Sequence, residues 1–419
     1  MHMKNEVGFK WKEKIMAGNV LNYIEKNWDN TVKFNQADDG TLIGLPYPYS
    51  VPAVGHFDEI YYWDTYFTNK GLEICGRMAQ VKNNTDNMLY LVHKYGFMPN
   101  GNRTYYLKNS QPPFLSFMVR DVYEYYKDEV WLSSAYNVLC KEYEFWITRR
   151  GTKCGLSCYS GTLSEDDYES LATLYKQRCG IIPDAENKDV AMHYIGTCES
   201  GWDLNPRWHT ELYHYAPVDL NSLLYAFEKN MEYFSEILRN NNESMWKERA
   251  EKRKNLMLKY MPNKNGILYD YNFNKEQISD ILSVASFYPM FVNMVDDEMA
   301  GALVKVLPRL EFPYGLVTCE KNDVEGNYQW DYPNGWPCLQ YIAVVALDNY
   351  GYKDEAKRIA EKYIKLVDKV FGETGKLWEK YNVVEGNINV TNEYDMPPMM
   401  GWTAGVYLAL NNYIANNTI

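Results

Sequence analysis

The 419-residue chain lacks several features that would assign it to a large functional class. It contains no run of about 18 apolar residues, so the sequence predicts no membrane-spanning helix. Its first ten residues have no apolar h-region, so no signal peptide is predicted. No Gly-x-Gly-x-x-Gly motif and no phosphate loop occurs, which argues against a nucleotide ligand. The Gly-x-Ser-x-Gly elbow of serine hydrolases is also absent.

Basic residues are in deficit. The chain carries 43 Lys and Arg against 55 Asp and Glu, for a formal net charge of −12. Nucleic acids and anionic membranes attract basic surfaces, so neither is predicted as a partner. The eight cysteines are scattered, and no second close pair accompanies Cys154 and Cys158, so we expect no metal site. Scattered cysteines without a signal predict reduced thiols and a cytoplasmic location.

Aromatic residues are in excess, at 16% of the chain with 38 Tyr and 12 Trp. Aromatic faces stack well on sugar rings or flat bases, and an apolar content of 46% supports a large core. No linker divides the chain, so we expect a single domain over residues 1–419. Within it, residues 1–55 are predicted to hold an N-terminal helix, Trp11–Asn27, and a packed Pro/Gly/Tyr-rich loop. The polar stretch 150–200 is predicted to be a long insertion loop.

Helical periodicity recurs along the chain, whereas strand signals are sparse. The predicted helices lie near 64–78, 80–95, 113–127, 129–149, 217–239, 242–261, 279–294, 296–307, 337–350, 352–371 and 399–416. Segments 279–294 and 337–350 are apolar nearly all round, whereas 352–371 is amphipathic, as expected for inner and outer helices. The pattern therefore predicts an all-α fold of paired helices, with the connecting loops meeting at one end.

One of these loops, Glu199–Trp208, places Asp203 beside Gly201 and between Trp202 and Trp208. A carboxyl group beside aromatic faces loses hydration, which raises its pKa and keeps it protonated near neutral pH. A general acid that protonates a glycosidic oxygen needs that state. The alternative is that the tryptophans belong to the core and that Asp203 caps a helix.

Other predicted loops combine carboxylates, amides and aromatic rings in the same way. They are His56–Tyr66, Pro99–Pro113, Gln329–Pro337, Leu377–Tyr381, and Asn392–Tyr394 followed by Trp402. Inverting glycoside hydrolysis requires one carboxylic acid and one carboxylate on opposite faces of the sugar. The two groups lie about 6.5–9.5 Å apart, which leaves room for a water molecule. Amides, hydroxyls and rings hold the sugar itself. The stretches together predict a carbohydrate-cleaving site.

These stretches resemble the trehalases, glycoside hydrolases that cleave α,α-trehalose into two glucoses. The resemblance rests on Gln329–Trp336 and on Tyr61–Asp64, Pro99–Leu107, Ser110–Pro113, Glu199–Asp203 and Glu379–Tyr381, in that family's order. The resemblance covers about residues 56–406. It implies an (α/α)6 barrel, also described as a six-hairpin toroid. It also implies an enzyme that inverts the anomeric configuration and uses no metal or organic cofactor. By motif position, Asp203 corresponds to the general acid and Glu379 to the general base. The resemblance and the loops together assign sugar contacts to His56, Trp63, Asp64, Asn100, Asn109, Ser110, Gln111, Gly201, Gln329, Trp330, Asp331, Trp336, Glu393 and Trp402.

The chain departs from the family where the family carries arginines. His56 and Asn109 stand at two such positions, Leu163–Tyr168 replaces an Arg-Pro-Glu segment, and Gly386–Thr391 replaces a glycine-rich run. Because arginine orients sugar hydroxyls, its loss predicts an altered second sugar subsite. The sequence therefore predicts a small sugar substrate and a shifted leaving-group preference. It leaves open whether trehalose or another small α-glucoside is cleaved, or whether the protein only binds sugar. The oligomeric state is also open.

Overall fold

The computed structural model describes residues 19–392 and 395–416, which form helices joined by loops and very short strands. The helices of these residues are α1 Asn19–Asn27, α2 Tyr62–Ile74, α3 Met78–Tyr95, α4 Leu115–Tyr126, α5 Glu129–Thr148, α6 Glu165–Cys179, α7 Asn187–Ser200, α8 Val218–Leu238, α9 Glu243–Tyr260, α10 Tyr288–Phe291, α11 Asp297–Val306, α12 Pro337–Asn349, α13 Lys353–Thr374 and α14 Gly401–Asn416.

The strands are two residues long and pair antiparallel in four small sheets. They are β1 Val32–Lys33 with β2 Tyr49–Ser50, β3 Tyr215–Ala216 with β4 Tyr271–Asn272 and β5 Gln277–Ile278, β6 Glu311–Phe312 with β7 Gly315–Leu316, and β8 Asn334–Gly335 with β9 Tyr381–Asn382. The β8–β9 pair matters for the site, because it joins two loops that are far apart in sequence.

Six helices form a closed inner ring. In order around the ring, α2, α4, α8, α10, α12 and α14 each contact the next, and α14 returns to α2. Helices α3, α5, α9 and α13 pack behind members of this ring. The protein is therefore an (α/α)6 barrel, as the sequence predicts.

Burial separates inner from outer helices. In α12 every residue from Pro337 to Leu347 is buried, because neighbours surround it on all sides. In α13 the buried residues recur at intervals of three and four along one face. They are Ala356, Ile359, Ala360, Tyr363, Leu366, Val367 and Val370. The amphipathic pattern thus marks an outer helix and the apolar one an inner helix.

Two glycines permit the contact that closes the ring. Gly71 of α2 faces Gly405 of α14, and a Cβ on Gly71 would lie 2.6 Å from the Gly405 Cα. A Cβ on Gly405 would overlap the Phe67 carbonyl oxygen. The two helix backbones can approach this closely only because neither residue has a side chain.

Three sequence predictions need correction or qualification. The stretch 150–200 is not a long loop, because it contains α6 and α7, which pack against each other. The helix predicted over 279–294 is a 3-10 turn, Val284–Phe287, followed by the one-turn α10. Pro289 explains this, since proline is not tolerated inside a long helix. Of Trp11–Asn27, only Asn19–Asn27 lies within the described residues.

The Pro/Gly/Tyr-rich loop packs against the core. Leu45, Tyr49 and Val51 are almost completely buried, and the backbone of Ser50 is held by the Asn84 side chain at 2.9 Å. Among residues 19–392 and 395–416, no helix combines the length and apolar character needed to cross a bilayer.

Candidate functional site

The predicted site residues lie where inner helices begin. Trp63 and Asp64 occupy the first turn of α2, and Trp402 occupies the first turn of α14. Loop 109–111 precedes α4, loop 201–203 lies upstream of α8, and loop 329–336 leads directly into α12. These predicted site residues therefore lie at or before the N-termini of inner helices.

A cluster of five indoles forms the centre of this end. We call it the tryptophan cluster, and it consists of Trp63, Trp202, Trp330, Trp336 and Trp402. Trp330 and Trp336 stack in parallel, with ring centroids 3.7 Å apart. Trp63 and Trp202 lie 5.6 and 5.5 Å from Trp330, and Trp402 packs edge-on at 5.7–6.2 Å from three of them. The rings come from four parts of the chain, two of them first turns of inner helices.

Gly201 has a steric reason to be glycine. Its φ is +71°, and an added Cβ would lie 2.6–2.9 Å from three atoms of the Trp63 indole. The turn that leads from α7 to Asp203 therefore lies directly against the indole of α2. A side chain here would both strain the turn and displace the ring.

Asp203 follows Trp202 on this turn and is half-buried. Burial is the main cause that raises the pKa of the Tyr106 hydroxyl, and the charge of Asp203 adds to the rise. The Asp203 carboxylate therefore lies within electrostatic reach of loop 100–109. The short helix that follows is capped by Asn205, whose side chain accepts from the Arg207 N–H at 3.0 Å. The capping role that the alternative assigned to Asp203 therefore belongs to Asn205.

Trp202 and Trp208 are core residues, as the alternative interpretation of the Glu199–Trp208 loop held. An arginine side chain lies against both rings. The Arg207 guanidinium is 4.1 Å from the ring centres of Trp202 and Trp208. The same side chain pairs with Asp219 at 3.3 Å and with Asp270 at 3.5 Å. Arg207 thus links the segment after Asp203 to Asp219 and Asp270.

Glu379 reaches the tryptophan cluster through the β8–β9 pair. Gly335 pairs with Tyr381, which brings loop 329–336 beside the Glu379 segment. The Trp402 indole N–H donates to the Glu379 carbonyl at 3.1 Å. The Glu379 side chain, only 4% exposed, accepts from the Lys380 ammonium at 2.9 Å.

Two further carboxyl groups of the site have raised pKa values. Burial raises the pKa of Asp64 to about 7, and the nearby charge of Glu379 adds to the rise. Burial raises the pKa of Asp331 to about 6, although Asn322 donates to it at 2.9 Å. Asp64 therefore lies in the electrostatic field of the predicted base.

The polar loop 100–111 is held by buried hydrogen bonds. The Asn100 side chain donates to the Cys198 carbonyl at 3.2 Å, and the Asn109 side chain donates to the Ser110 carbonyl at 3.1 Å. The Ser110 hydroxyl donates to the Met98 carbonyl at 2.5 Å. The Gln111 side chain accepts from the Trp63 N–H at 3.3 Å, which ties the loop to the start of α2.

Beneath this loop lies an ion pair that the sequence reading missed. The Arg150 guanidinium donates to both oxygens of Glu199, at 2.7 and 2.8 Å, and both side chains are almost completely buried. Glu199 also accepts from the N–H groups of Ser110 at 2.8 Å and Ser160 at 2.7 Å. Four hydrogen bonds from three residues therefore converge on one carboxylate two residues before Gly201. Only the tertiary structure shows that Arg150 is its partner.

The remaining predicted residues fall as follows. His56 is exposed on a loop, where its N–H donates to the Ala53 carbonyl at 3.4 Å, so its sugar-contacting role stays a prediction. Glu393 lies outside the described residues. The Gln329 side chain is buried and accepts from Lys380 at 3.2 Å. Within the described part of the chain, no group of three or more His, Cys, Asp and Glu side chains is arranged to hold a metal ion.

The whole chain was compared with known families. The trehalase family model matches residues 5–414. The periplasmic trehalase of Xanthomonas oryzae pv. oryzae is 33% identical over 409 residues, which cover 89% of this chain and 69% of that protein. The periplasmic trehalase of Xanthomonas campestris pv. campestris is 32% identical over 426 residues, covering 93% and 72%.

Solved structures agree on the fold. The neutral trehalase Nth1 of Saccharomyces cerevisiae matches with a TM-score of 0.77 and 27% identity, covering 94% of this chain and 80% of that one. A GH63 mannosylglycerate hydrolase of Thermus thermophilus, in complex with glucose, matches with a TM-score of 0.65 over 93% and 99% of the chains. At 13% identity, the latter supports the barrel architecture alone.

The relatives contradict one prediction. Scattered cysteines without a signal predict a cytoplasmic location, whereas relatives at 32–33% identity are named periplasmic trehalases. All eight cysteines are free thiols in the structure. The inference failed because a chain of this length buries a core large enough to be stable without disulfides, so free thiols do not identify the compartment.

Proposed function

This chain belongs to the trehalase family and is a glycoside hydrolase of trehalase type, and we propose that it cleaves trehalose or a related small α-glucoside with inversion. In this proposal Asp203 is the general acid and Glu379 the general base. The supporting observation is that the loops bearing the two carboxylates reach the same tryptophan cluster. Trp202, next to Asp203, packs 5.5 Å from Trp330, and Lys380, next to Glu379, lies 4.7 Å from the Trp336 ring centre.

In the proposed reaction, the carboxylic acid of Asp203 gives its proton to the glycosidic oxygen as the bond to the anomeric carbon breaks. Glu379 takes a proton from a water molecule whose oxygen attacks that carbon from the opposite face. One water is consumed and the two carboxyl groups exchange protonation states. From trehalose, inversion yields one β-glucose and one α-glucose.

The surrounding side chains suit a sugar. The buried indoles of the tryptophan cluster make this end of the barrel apolar, and Asp64, Asn100 and Gln111 bring polar atoms for hydroxyls. The family's Arg-Ser-Gln triplet is Asn109–Gln111 here, and Asn109 is buried with its amide on the Ser110 carbonyl. A neutral amide replaces a charged fork at this position, so we propose that the leaving-group subsite is altered. The names of the relatives support a periplasmic location.

The test is a substrate panel with the purified protein, comprising trehalose, other α-linked glucose disaccharides and α-glucosides with small polar aglycones. We expect hydrolysis of at least one, with NMR showing β-glucose as the first new anomer from the cleaved residue. Trehalose as clearly the best substrate would refute the altered subsite. Two α-glucoses released first from trehalose would refute inversion.

The role of Asp203 is tested by Asp203→Asn. We expect turnover to fall by about 10³-fold or more, because the amide has no proton of suitable acidity to give. Sugar binding, followed by tryptophan fluorescence, should persist. Asp280→Asn is the matched control, since Asp280 is highly exposed and faces His209 at the surface. A wild-type protein that binds sugars but cleaves none would instead be a carbohydrate-binding protein.

A further inference from the structure

Lys380 is a fully buried cation beside the proposed base. Its side chain is 0% exposed, and its ammonium lies 2.9 Å from one oxygen of Glu379. The two residues are neighbours in the chain, immediately before β9. A buried ammonium loses its hydration and is stable only where acceptors or π-faces replace the water.

The surroundings of Lys380 supply those replacements. The ammonium donates to the Gln329 side chain at 3.2 Å and lies 4.7 Å from the ring centre of Trp336. Trp336 is itself held, because its indole N–H donates to the Gln329 carbonyl at 3.2 Å and its ring stacks on Trp330. The cation is therefore fixed in place by loop 329–336.

This placement answers a physical problem at Glu379. Burial favours the protonated form of a carboxyl group, and a protonated carboxyl cannot accept a proton from water. The charge of Glu379 also reaches Asp64 of α2, whose pKa is raised to about 7 mainly by burial. An adjacent cation favours the charged form of a carboxyl group.

We propose that Lys380 is a positioning residue that places a positive charge against the Glu379 carboxylate and fixes its direction, with Gln329 and Trp336 holding the ammonium. The inference rests on the proposed role of Glu379 as general base. Lys380 touches neither the sugar nor the attacking water in this account. It acts only through the carboxylate that it contacts.

The test compares Lys380→Met, Lys380→Gln and Lys380→Arg with Glu379→Gln in kcat and kcat/KM over pH. For K380M we expect kcat to fall by about 10²-fold, and the acid limb of the kcat/KM profile to move up by about one pH unit or more. KM should change little. K380R should keep the acid limb of the wild type, because the charge is retained. Lys362→Met is the control. Lys362 lies on outer helix α13, and its ammonium pairs with Glu311 of β6 at 2.7 Å.

K380Q covers the case in which K380M does not fold. Its amide can donate to Glu379 and Gln329 but carries no charge, so the acid limb should again move up. A folded K380Q with the wild-type rate and acid limb would overturn the proposal. In the double variant E379Q/K380M, turnover should be no lower than in E379Q, because both changes remove the same function.

The two proposals fail differently. If E379Q is inactive while the Lys380 variants keep the wild-type profile, the role of Lys380 is wrong and the base stands. If E379Q retains wild-type turnover, Glu379 is not the base, and the role of Lys380 falls with it. Multiplicative losses in E379Q/K380M would show that Lys380 acts on something other than Glu379.

Discussion

Gly201 shows how one missing side chain can shape the site. Its positive φ and its contact with the Trp63 indole place the acid-bearing turn directly on a ring of the first inner helix. Sequence reading singled this residue out through its motif, but the reason for glycine is steric. The space that a Cβ would need is already occupied by the indole.

Gly201→Ala should therefore impair catalysis more than folding. Alanine at this φ is unfavourable by about 1–2 kcal/mol, and the added methyl must push Trp63 away from the turn. We expect kcat/KM to fall by about 10-fold or more, in line with the rate effects of small misplacements at a site. Steady-state kinetics, with unfolding curves for stability, measure both effects.

Gly372→Ala is the control for this change. Gly372 lies on the exposed side of α13, and a Cβ there would meet nothing within 4 Å. Replacing a helical glycine by alanine should stabilise the protein by about 0.5–1 kcal/mol without altering kinetics. Wild-type kcat/KM in G201A would show that the turn and the indole can separate without consequence.

At the scale of elements, one buried acid links α2 to α5. Glu142 of α5 is 0% exposed and accepts a hydrogen bond from the Tyr62 hydroxyl of α2. The Leu115 N–H of α4 donates to that same hydroxyl at 3.0 Å, so three helices meet here. Burial raises the pKa of Glu142 from 4.5 to about 8. The acid is therefore protonated in the folded state at neutral pH.

This acid should make stability depend on pH. Its folded-state pKa is raised, so its favourable contribution is complete below about pH 4.5 and is lost as pH rises towards 8. Over that range the unfolded chain has released the proton that the folded chain still binds, which lowers the free energy of unfolding. Glu142→Gln does not titrate. Its stability relative to wild type should grow by about 2–4 kcal/mol between pH 5 and pH 8.

Urea unfolding at the two pH values measures this difference. Glu144→Gln is the matched control, because Glu144 lies on the same helix but is exposed. It should follow the wild type at both values. An equal change in the free energy of unfolding between the two pH values for E142Q and wild type would mean that burial between α2 and α5 does not keep Glu142 protonated.

At the scale of the whole molecule, the barrel depends on a contact between helices that are more than 300 residues apart. Helix α14 closes the ring on α2 through Gly71 and Gly405, and the same two helices carry Trp402 and Trp63. The contact that closes the ring therefore also sets the relative positions of Trp63 and Trp402. No other pair of inner helices contacts so extensively in the part of the chain that the structure describes.

Gly405→Ala tests this coupling. The methyl group would overlap the Phe67 carbonyl oxygen, so α14 must move away from α2. We expect a loss of about 2–3 kcal/mol in stability, as for other overpacked sites, together with lower kcat because Trp402 moves with the helix. Gly301→Ala on α11 is the comparison, since its nearest neighbour is the hydroxyl of a side chain, Tyr352, which can shift. Reduced stability with unchanged kcat in G405A would separate closure from the site.

Much of the helical framework was predictable because it is local. Predicted segments 80–95, 129–149 and 337–350 correspond to α3, α5 and α12 within two residues at each end. Helix α6 was missed although a local signal exists, since Ser164 and Asp167 form a capping box and Gly180 ends the helix. Weak apolar periodicity hid that signal. For α7, which is buried along most of its length against α6 and neighbouring loops, no amphipathic pattern exists to be read.

The sequence by itself determined most of the apolar and amphipathic helices, the loops rich in acids and tryptophan, and the family motifs, because each depends on neighbours in the chain. Only the tertiary structure decided that Arg150 pairs with Glu199, that Arg207 lies against Trp202 and Trp208, and that Lys380 is fixed by loop 329–336. These pairings follow from the free-energy cost of burying a charge without a partner. A buried ion needs a counter-ion and donors in three dimensions, whatever their distance in sequence.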